Sequence, residues 1–210
     1  MPNFSFESPI LSNGANNNGG NGDTTTITSW TITAPAGNTD NGVYHPLAGF
    51  SSTNPLPAPA DGNQIAYLVP GAQNSSSLTT SNSLGTIAAN MLYTLTVAVG
   101  NRSDNLFFDT GTYKIDILAN GVSVGESTLA GSAIAHGTFS DLSATFTSPA
   151  SGPLIGESLT VELKAIAGSA NDEAIFDNVR LTATAVPEPS TVALLIGGSA
   201  GLIGFIRRRG

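Results

Sequence analysis

Apolar side chains in this chain recur at every second position, in short runs broken by Gly, Pro, Asn and Ser. That period constrains the fold more than any other feature. Tyr93, Leu95, Val97 and Val99 alternate with Thr94, Thr96 and Ala98, and Leu159, Val161 and Leu163 alternate with Thr160, Glu162 and Lys164. Side chains on a strand point to opposite faces in turn, so each run predicts a strand with one buried face. Tyr113, Ile115 and Ile117 lead into Asn120-Gly121, with Val122 and Val124 beyond. Asn and Gly tolerate the positive φ of a type I′ turn, so this stretch predicts a two-residue hairpin. Further strands are expected near 3–7, 25–33, 64–69, 76–81, 127–130, 139–147 and 174–184. No sustained period of 3.6 lies between them. The fold class expected for residues 1–185 is therefore all-β, an antiparallel β-sandwich of the jelly-roll kind. Two stretches read as loops at its rim: Asn13 to Asp23, which holds one Ala and no larger apolar side chain, and the Pro-rich Asn54 to Asp61.

Composition narrows the function. The 210 residues include no Cys, which removes disulfides, Cys-ligated zinc and thiol nucleophiles. The length is enough to build a core without such staples. Three of the seven basic residues are Arg207, Arg208 and Arg209, so residues 1–185 carry four basic and fourteen acidic groups, a net of −10. A body that acidic repels phosphate backbones, and nucleic acid is excluded as a partner.

The last 25 residues, 186–210, form a separate unit. Val-Pro-Glu-Pro-Ser (186–190) is followed by sixteen uncharged residues, Thr191 to Ile206, and then by the three arginines. Pro187 and Pro189 impose an extended spacer. The apolar run is expected to form one transmembrane helix. At about 1.5 Å per residue it reaches roughly 24 Å, so local bilayer thinning and snorkelling arginines must close the gap to ~30 Å. Arginines just beyond the span hold that end in the cytoplasm and place the body outside.

Pro187-Glu188-Pro189, an apolar Gly-rich span and a terminal arginine cluster, in that order, resemble the PEP-CTERM protein-sorting signal of Gram-negative bacteria. The resemblance implies an exported protein whose tail is recognised by an exosortase, a membrane transpeptidase-like enzyme. It also implies service at the cell surface, in a biofilm or in extracellular polysaccharide matrix. Residues 1–7 carry neither the basic region nor the apolar stretch of a secretory signal, a departure from that pattern.

The body also has a family look. Phe4-Ser-Phe-Glu-Ser-Pro9, Asp61 to Leu68, Tyr93 to Arg102, Gly137-Thr-Phe139 and Phe176-Asp-Asn-Val-Arg-Leu181 are together similar to the galactose-binding-like jelly rolls of carbohydrate-binding modules. On a straight strand Asp177 shares its face with Ile175, Val179 and Leu181, which aims a carboxylate at the core. A buried carboxylate needs a hydrogen bond, an ion pair or a metal. The resemblance implies a structural calcium held by an acid of the first strand and an Asp of the last, which here are Glu7 and Asp177, and oxygen ligands suit calcium.

Trp30 and Tyr44 are candidate sugar-stacking residues. For Trp30 the competing reading, a core residue alternating inward with Ile32, is favoured by the pattern. Arg102 and Arg180 are expected in surface ion pairs. His45 and His136 have no metal-ligand spacing. Gly121-Val-Ser-Val-Gly125 and Gly197-Gly-Ser-Ala-Gly201 satisfy the hydrolase G-x-S-x-G string, but neither is expected at a strand-to-helix turn. The reading is a non-enzymatic, exported, surface- or matrix-associated sandwich sorted through its tail. A calcium-dependent lectin-like module is the alternative, and a hydrolase a distant third.

Overall fold

A computed structural model describes residues 1–12, 27–38, 40–46, 56–71, 74–103, 108–166 and 172–187. The expected membrane helix, Glu188, Pro189 and Arg207 to Arg209 lie outside these residues, as does the Asn13 to Asp23 loop. Among the described residues no helix is long and apolar enough to cross a membrane.

Among the described residues ten strands form two antiparallel sheets of five. They are β1 (Trp30–Thr33), β2 (Asn41–Tyr44), β3 (Ile65–Leu68), β4 (Ser75–Thr80), β5 (Met91–Asn101), β6 (Thr112–Ala119), β7 (Val122–Ala130), β8 (Thr138–Thr147), β9 (Leu159–Ile166) and β10 (Ala174–Ala185). The first sheet runs β1-β4-β9-β6-β7, and the second runs β2-β3-β10-β5-β8. Consecutive strands thus fall on different sheets at several points, as in a jelly roll. The all-β sandwich expected from the alternation is what forms.

The hairpin turn is where the sequence places it. Asn120 and Gly121 take φ of 48° and 78°, and β6 and β7 pair from Ala119↔Val122 outward. The Gly121 to Gly125 string runs from the hairpin turn into β7, a strand that continues to Ala130, so it forms no strand-to-helix elbow.

The main core lies between the sheets. Leu95, Val97 and Val99 from β5 meet Tyr113, Ile115 and Ile117 from β6 and Val161 and Leu163 from β9. Phe108, Tyr113 and Phe176 form an edge-to-face series with centroids 4.7 and 5.3 Å apart. Trp30 belongs to this core. It is 1% exposed, its ring lies 5.4 Å from that of Phe6, and its indole N–H donates to the Asn3 carbonyl at 3.3 Å. Trp30 is therefore no sugar platform: its parity with Ile32 turned it inward, and the N-terminal segment covers its one polar atom.

A second apolar cluster sits on the opposite face of the second sheet. Ala66, Leu68, Val97, Val99 and Phe176 face the main core, so the alternating Ile65, Tyr67, Ala98 and Ile175 face away from it. Leu56, Phe139 and half-buried Tyr44 complete this outer cluster.

The strand expected at 3–7 does not form. Asn3 and Phe6 take left-handed φ of 48° and 56°, and the segment closes as a turn with Phe6 N–H donating to the Asn3 carbonyl at 3.3 Å. It still joins the fold, because Val179 N–H donates to Phe4 O at 2.8 Å and Gln64 Nε2 donates to Phe6 O and Pro9 O, each at 2.8 Å.

Candidate functional site

The two residues singled out as calcium ligands converge on one turn. Glu7 Oε1 accepts the backbone N–H groups of Asn63 and Gln64 at 2.7 and 2.8 Å. Asp177 Oδ2 accepts Asp61 N–H at 2.7 Å, and its Oδ1 accepts Asn178 N–H at 2.7 Å. Gly62 lies between these anchors at φ +75°, and a Cβ there would stand 2.3 Å from Glu7 Oε1. Only a glycine lets the turn adopt that φ and leaves room for the carboxylate.

Asp177 is fully buried, but not on the face that a straight strand implies. It pairs with Ala98, so it shares the outer face with Ala98 and Ile175. The register shifts between Asp177 and Arg180, and Asn178 takes a left-handed φ of 44°. This bulge returns Val179 to the main core, which is why parity counted across it assigned Asp177 to the wrong side. Asn178 also fixes the covering segment, donating from Nδ2 to Pro59 O at 2.7 Å. Burial pushes the Asp177 carboxyl up to about 8, and the negative charges of Glu7 and Asp61 add to the rise against the two backbone hydrogen bonds.

A second polar cluster flanks the outer face beyond Ile175. Arg102 pairs with Glu173, their side chains 10% and 6% exposed, so the surface pair expected for Arg102 is a buried one. Thr110 donates to Asp172 beside it. The Tyr67 hydroxyl lies within the fields of Asp40, Glu173 and Arg102, and burial, reinforced by the two carboxylates, holds it above the ordinary phenol range. Asn101 ties this end together. Its Nδ2 donates to Asp109 Oδ1 at 2.7 Å and to Gly131 O and Ile134 O at 3.3 Å, while its Oδ1 accepts Phe108 N–H at 3.0 Å. His136 Nε2 sits 3.0 Å from both oxygens of Asp109. Asp109 is held below the usual carboxylate range by Asn101 first and then by His136. Sequence reading had left Tyr67, Glu173 and Asp109 unremarked and His136 as incidental. The Asp109–His136 and Arg102–Glu173 pairs span 27 and 71 residues and leave no local spacing.

An open groove of about 530 Å³ runs past Thr33, Pro35, Asn74, Ser75, Lys164 and Ile166, and shares Pro35 and Asn74 with a smaller one of about 320 Å³. Tyr44 packs against the outer cluster. Arg180 meets expectation, paired with Asp141 with both side chains 41% exposed.

Comparison with known proteins places both units. Residues 1–182 match the family model of the HpiC1 cyclase, and residues 185–209 match the PEP-CTERM protein-sorting motif. No curated protein matches the sequence. Among solved structures, the apo form of a cyclase from Fischerella sp. is 25% identical at a TM-score of 0.73, covering 90% of this chain and 96% of its own. The Stig cyclase Fisc from Fischerella sp. TAU, solved with (3Z)-3-(1-methyl-2-pyrrolidinylidene)-3H-indole, is 25% identical at 0.72, covering 89% and 97%. The carbohydrate-binding module TmCBM61, solved with β-1,4-galactotriose, shares the fold at a TM-score of 0.51 and 11% identity, covering 87% and 96%. The chain belongs to the HpiC1-like family and ends in a PEP-CTERM sorting motif.

Proposed function

We propose that this chain is an exported β-sandwich domain of the cell surface or extracellular matrix, non-enzymatic, delivered by exosortase processing of its tail. The observation that carries the reading is the junction. The sorting motif begins at residue 185, where β10 ends, so the signal follows the folded domain directly. The tail would hold the protein by a single membrane span, body outside, until an exosortase acts. A binding role rather than catalysis is supported by the outer face, where Asp177 has both oxygens engaged by backbone N–H groups under the 56–64 segment. The test is expression behind a secretory signal in a host with and without an exosortase. Exosortase-dependent shortening and release from the membrane fraction, abolished by replacing Pro187-Glu188-Pro189 with three alanines, is expected. An unprocessed chain in both hosts overturns the reading.

Calcium belongs to this proposal, and its donor chemistry fits. Glu7 and Asp177 are oxygen donors drawn to one turn, and the charge of Glu7 already opposes ionisation of Asp177, a repulsion that a divalent cation would reverse. Among the described residues no three His, Cys, Asp or Glu side chains group as a metal site. A calcium here would therefore take two carboxylates and complete its shell from backbone carbonyls or water. On the lectin-like alternative this ion would stiffen the turn beside a glycan site.

One observation favours a second reading. The outer face carries buried acids, Glu173 and Asp177, on either side of apolar Ile175, an environment suited to proton transfer in a family that includes cyclases. A thermal shift with the pyrrolidinylidene indole bound by Fisc separates the two. The binding-domain reading expects none, and a saturable rise in Tm replaces it with the cyclase reading.

A further inference from the structure

Half of the outer face of the second sheet is sealed by the 56–64 segment; the other half is open and carries hydroxyls in register. Three adjacent strands contribute. Thr182 of β10 pairs with Thr94 of β5, which pairs with Thr145 of β8. One step along, Arg180 pairs with Thr96 and Thr96 with Ser143; one step the other way, Thr184 pairs with Leu92 and Leu92 with Thr147. The parity is internally consistent. Leu95, Val97, Leu142 and Ala144, the alternating residues, lie in the main core. Thr145, Ser143, Thr147, Thr182 and Thr184 are exposed, and Thr94 and Thr96 are half-buried in the middle strand.

We infer that this face binds an extended, uncharged polysaccharide chain. The inference deepens the binding reading above and rests on it for access to such a polymer. Each hydroxyl both donates and accepts, which matches a polyhydroxyl chain more closely than any charged partner. Threonine is stiff at χ1, so the array loses little rotamer freedom on binding. Across strands the rows repeat at about 4.8 Å, and along a strand alternate residues repeat at about 6.8 Å.

Charge selects the class of polymer. Among the described residues the ion pair on the face is Arg180 with Asp141, which sums to zero, and the Arg180 guanidinium is held a second time by Nε donation to Asn178 O at 3.2 Å. The body around it stands at −10 by its four basic and fourteen acidic residues, so an acidic polysaccharide is repelled where a neutral one is not. Twist selects its stiffness. Neighbouring strands rotate by roughly 20–25°, so three strands cannot match a flat crystalline lattice, while a soluble chain follows the rotation.

The test is affinity electrophoresis of the full chain, in neutral detergent, through gels containing hydroxyethylcellulose, soluble galactan or xylan, with alginate as the acidic counterpart. At least one neutral polymer is expected to retard the wild type, and alginate to leave it unretarded. The triple variant Thr94→Val, Thr145→Val, Thr182→Val keeps side-chain shape and strand preference while removing one row of hydroxyls. It is expected to bind at least tenfold more weakly at an unchanged Tm. The pair Thr31→Val, Thr79→Val, matched on the outer face of the first sheet, is expected to bind as wild type. No retardation by any neutral polymer, equal retardation by alginate, an undiminished triple variant, or an equal loss in the control pair overturns the inference. Sorting is not read in this assay, so failure here leaves the exosortase reading standing, and failure of sorting leaves this one standing.

Discussion

Replacing Asn101 with alanine should destabilise the domain by about 2–4 kcal/mol, because one buried amide serves four partners. Asn101 is 1% exposed. Its Oδ1 is the acceptor for the N–H of Phe108, a residue with no solvent exposure, and that orphaned donor costs about 1–3 kcal/mol. The Ile134 carbonyl loses a bond of 3.3 Å, while Gly131 O keeps the Ile134 N–H at 3.0 Å, so this pair adds about 1 kcal/mol. Asp109, 41% exposed on its side chain, regains water and adds little. Urea unfolding reports the change cleanly, since Trp30 is the chain's one tryptophan and lies in the core. A domain of this size should lose roughly 5–15 °C in Tm. Asn101→Asp sharpens the test. It keeps the acceptor for Phe108 but turns the donor into an oxygen facing Asp109 Oδ1 and two carbonyls, so at pH 7 it should fall below the alanine variant. An alanine variant within about 0.5 kcal/mol of wild type, or an aspartate variant above it, refutes the argument.

Three other outcomes follow from the site. With its folded carboxyl at about 8, Asp177 stays protonated in the native chain while the unfolded chain ionises near 4, so in EDTA stability is greatest below about pH 4 and declines as pH rises to about 8. Calcium should reverse that decline in the wild type and not in Asp177→Asn; melting curves that stay flat from pH 4 to 8 and ignore both chelator and calcium contradict it. Glu173→Gln removes one member of the buried pair with Arg102 and should cost about 3–5 kcal/mol by urea titration, far more than Asp141→Asn at the exposed Arg180 pair, which should cost at most about 1. Gly62→Ala places a Cβ on Glu7 Oε1 at a positive φ, and should lower Tm and expose the 56–64 segment to limited proteolysis; an unchanged digestion pattern counts against the turn's role.

The strands were legible because their alternation is local. Tyr93 to Val99 and Leu159 to Lys164 show the pleat directly, and Asn120-Gly121 shows its own turn. The segment at 3–7 misled because Phe4 and Phe6 alternate as a strand would, whereas a left-handed residue at Asn3 and another at Phe6 fold it into a turn. Asp177 was legible as a buried carboxylate but not in its direction, since one bulged residue, Asn178, reverses parity downstream. Arg102 and Glu173 stand 71 residues apart, and nothing in either neighbourhood announces a buried pair. The hydroxyl face was present in the sequence as Thr-Leu-Thr, Ser-Ala-Thr and Thr-Ala-Thr, but only the register of β10, β5 and β8 assembles those pieces into rows.

The place of β10 in the second sheet bears on the order in which the chain can fold. The strand sits between β3 and β5, brings Phe176 and Val179 to the core, and is followed at once by the sorting motif. A chain emerging from its N-terminus can assemble β5 with β8, but it cannot join β2 and β3 to that pair until residues 174–176 arrive. The second sheet is thus completed only when β10, its central strand, arrives. Completion of the sheet and appearance of the sorting motif become near-simultaneous, and cleavage beyond β10, as the proposed exosortase processing would make it, would remove no strand from the domain.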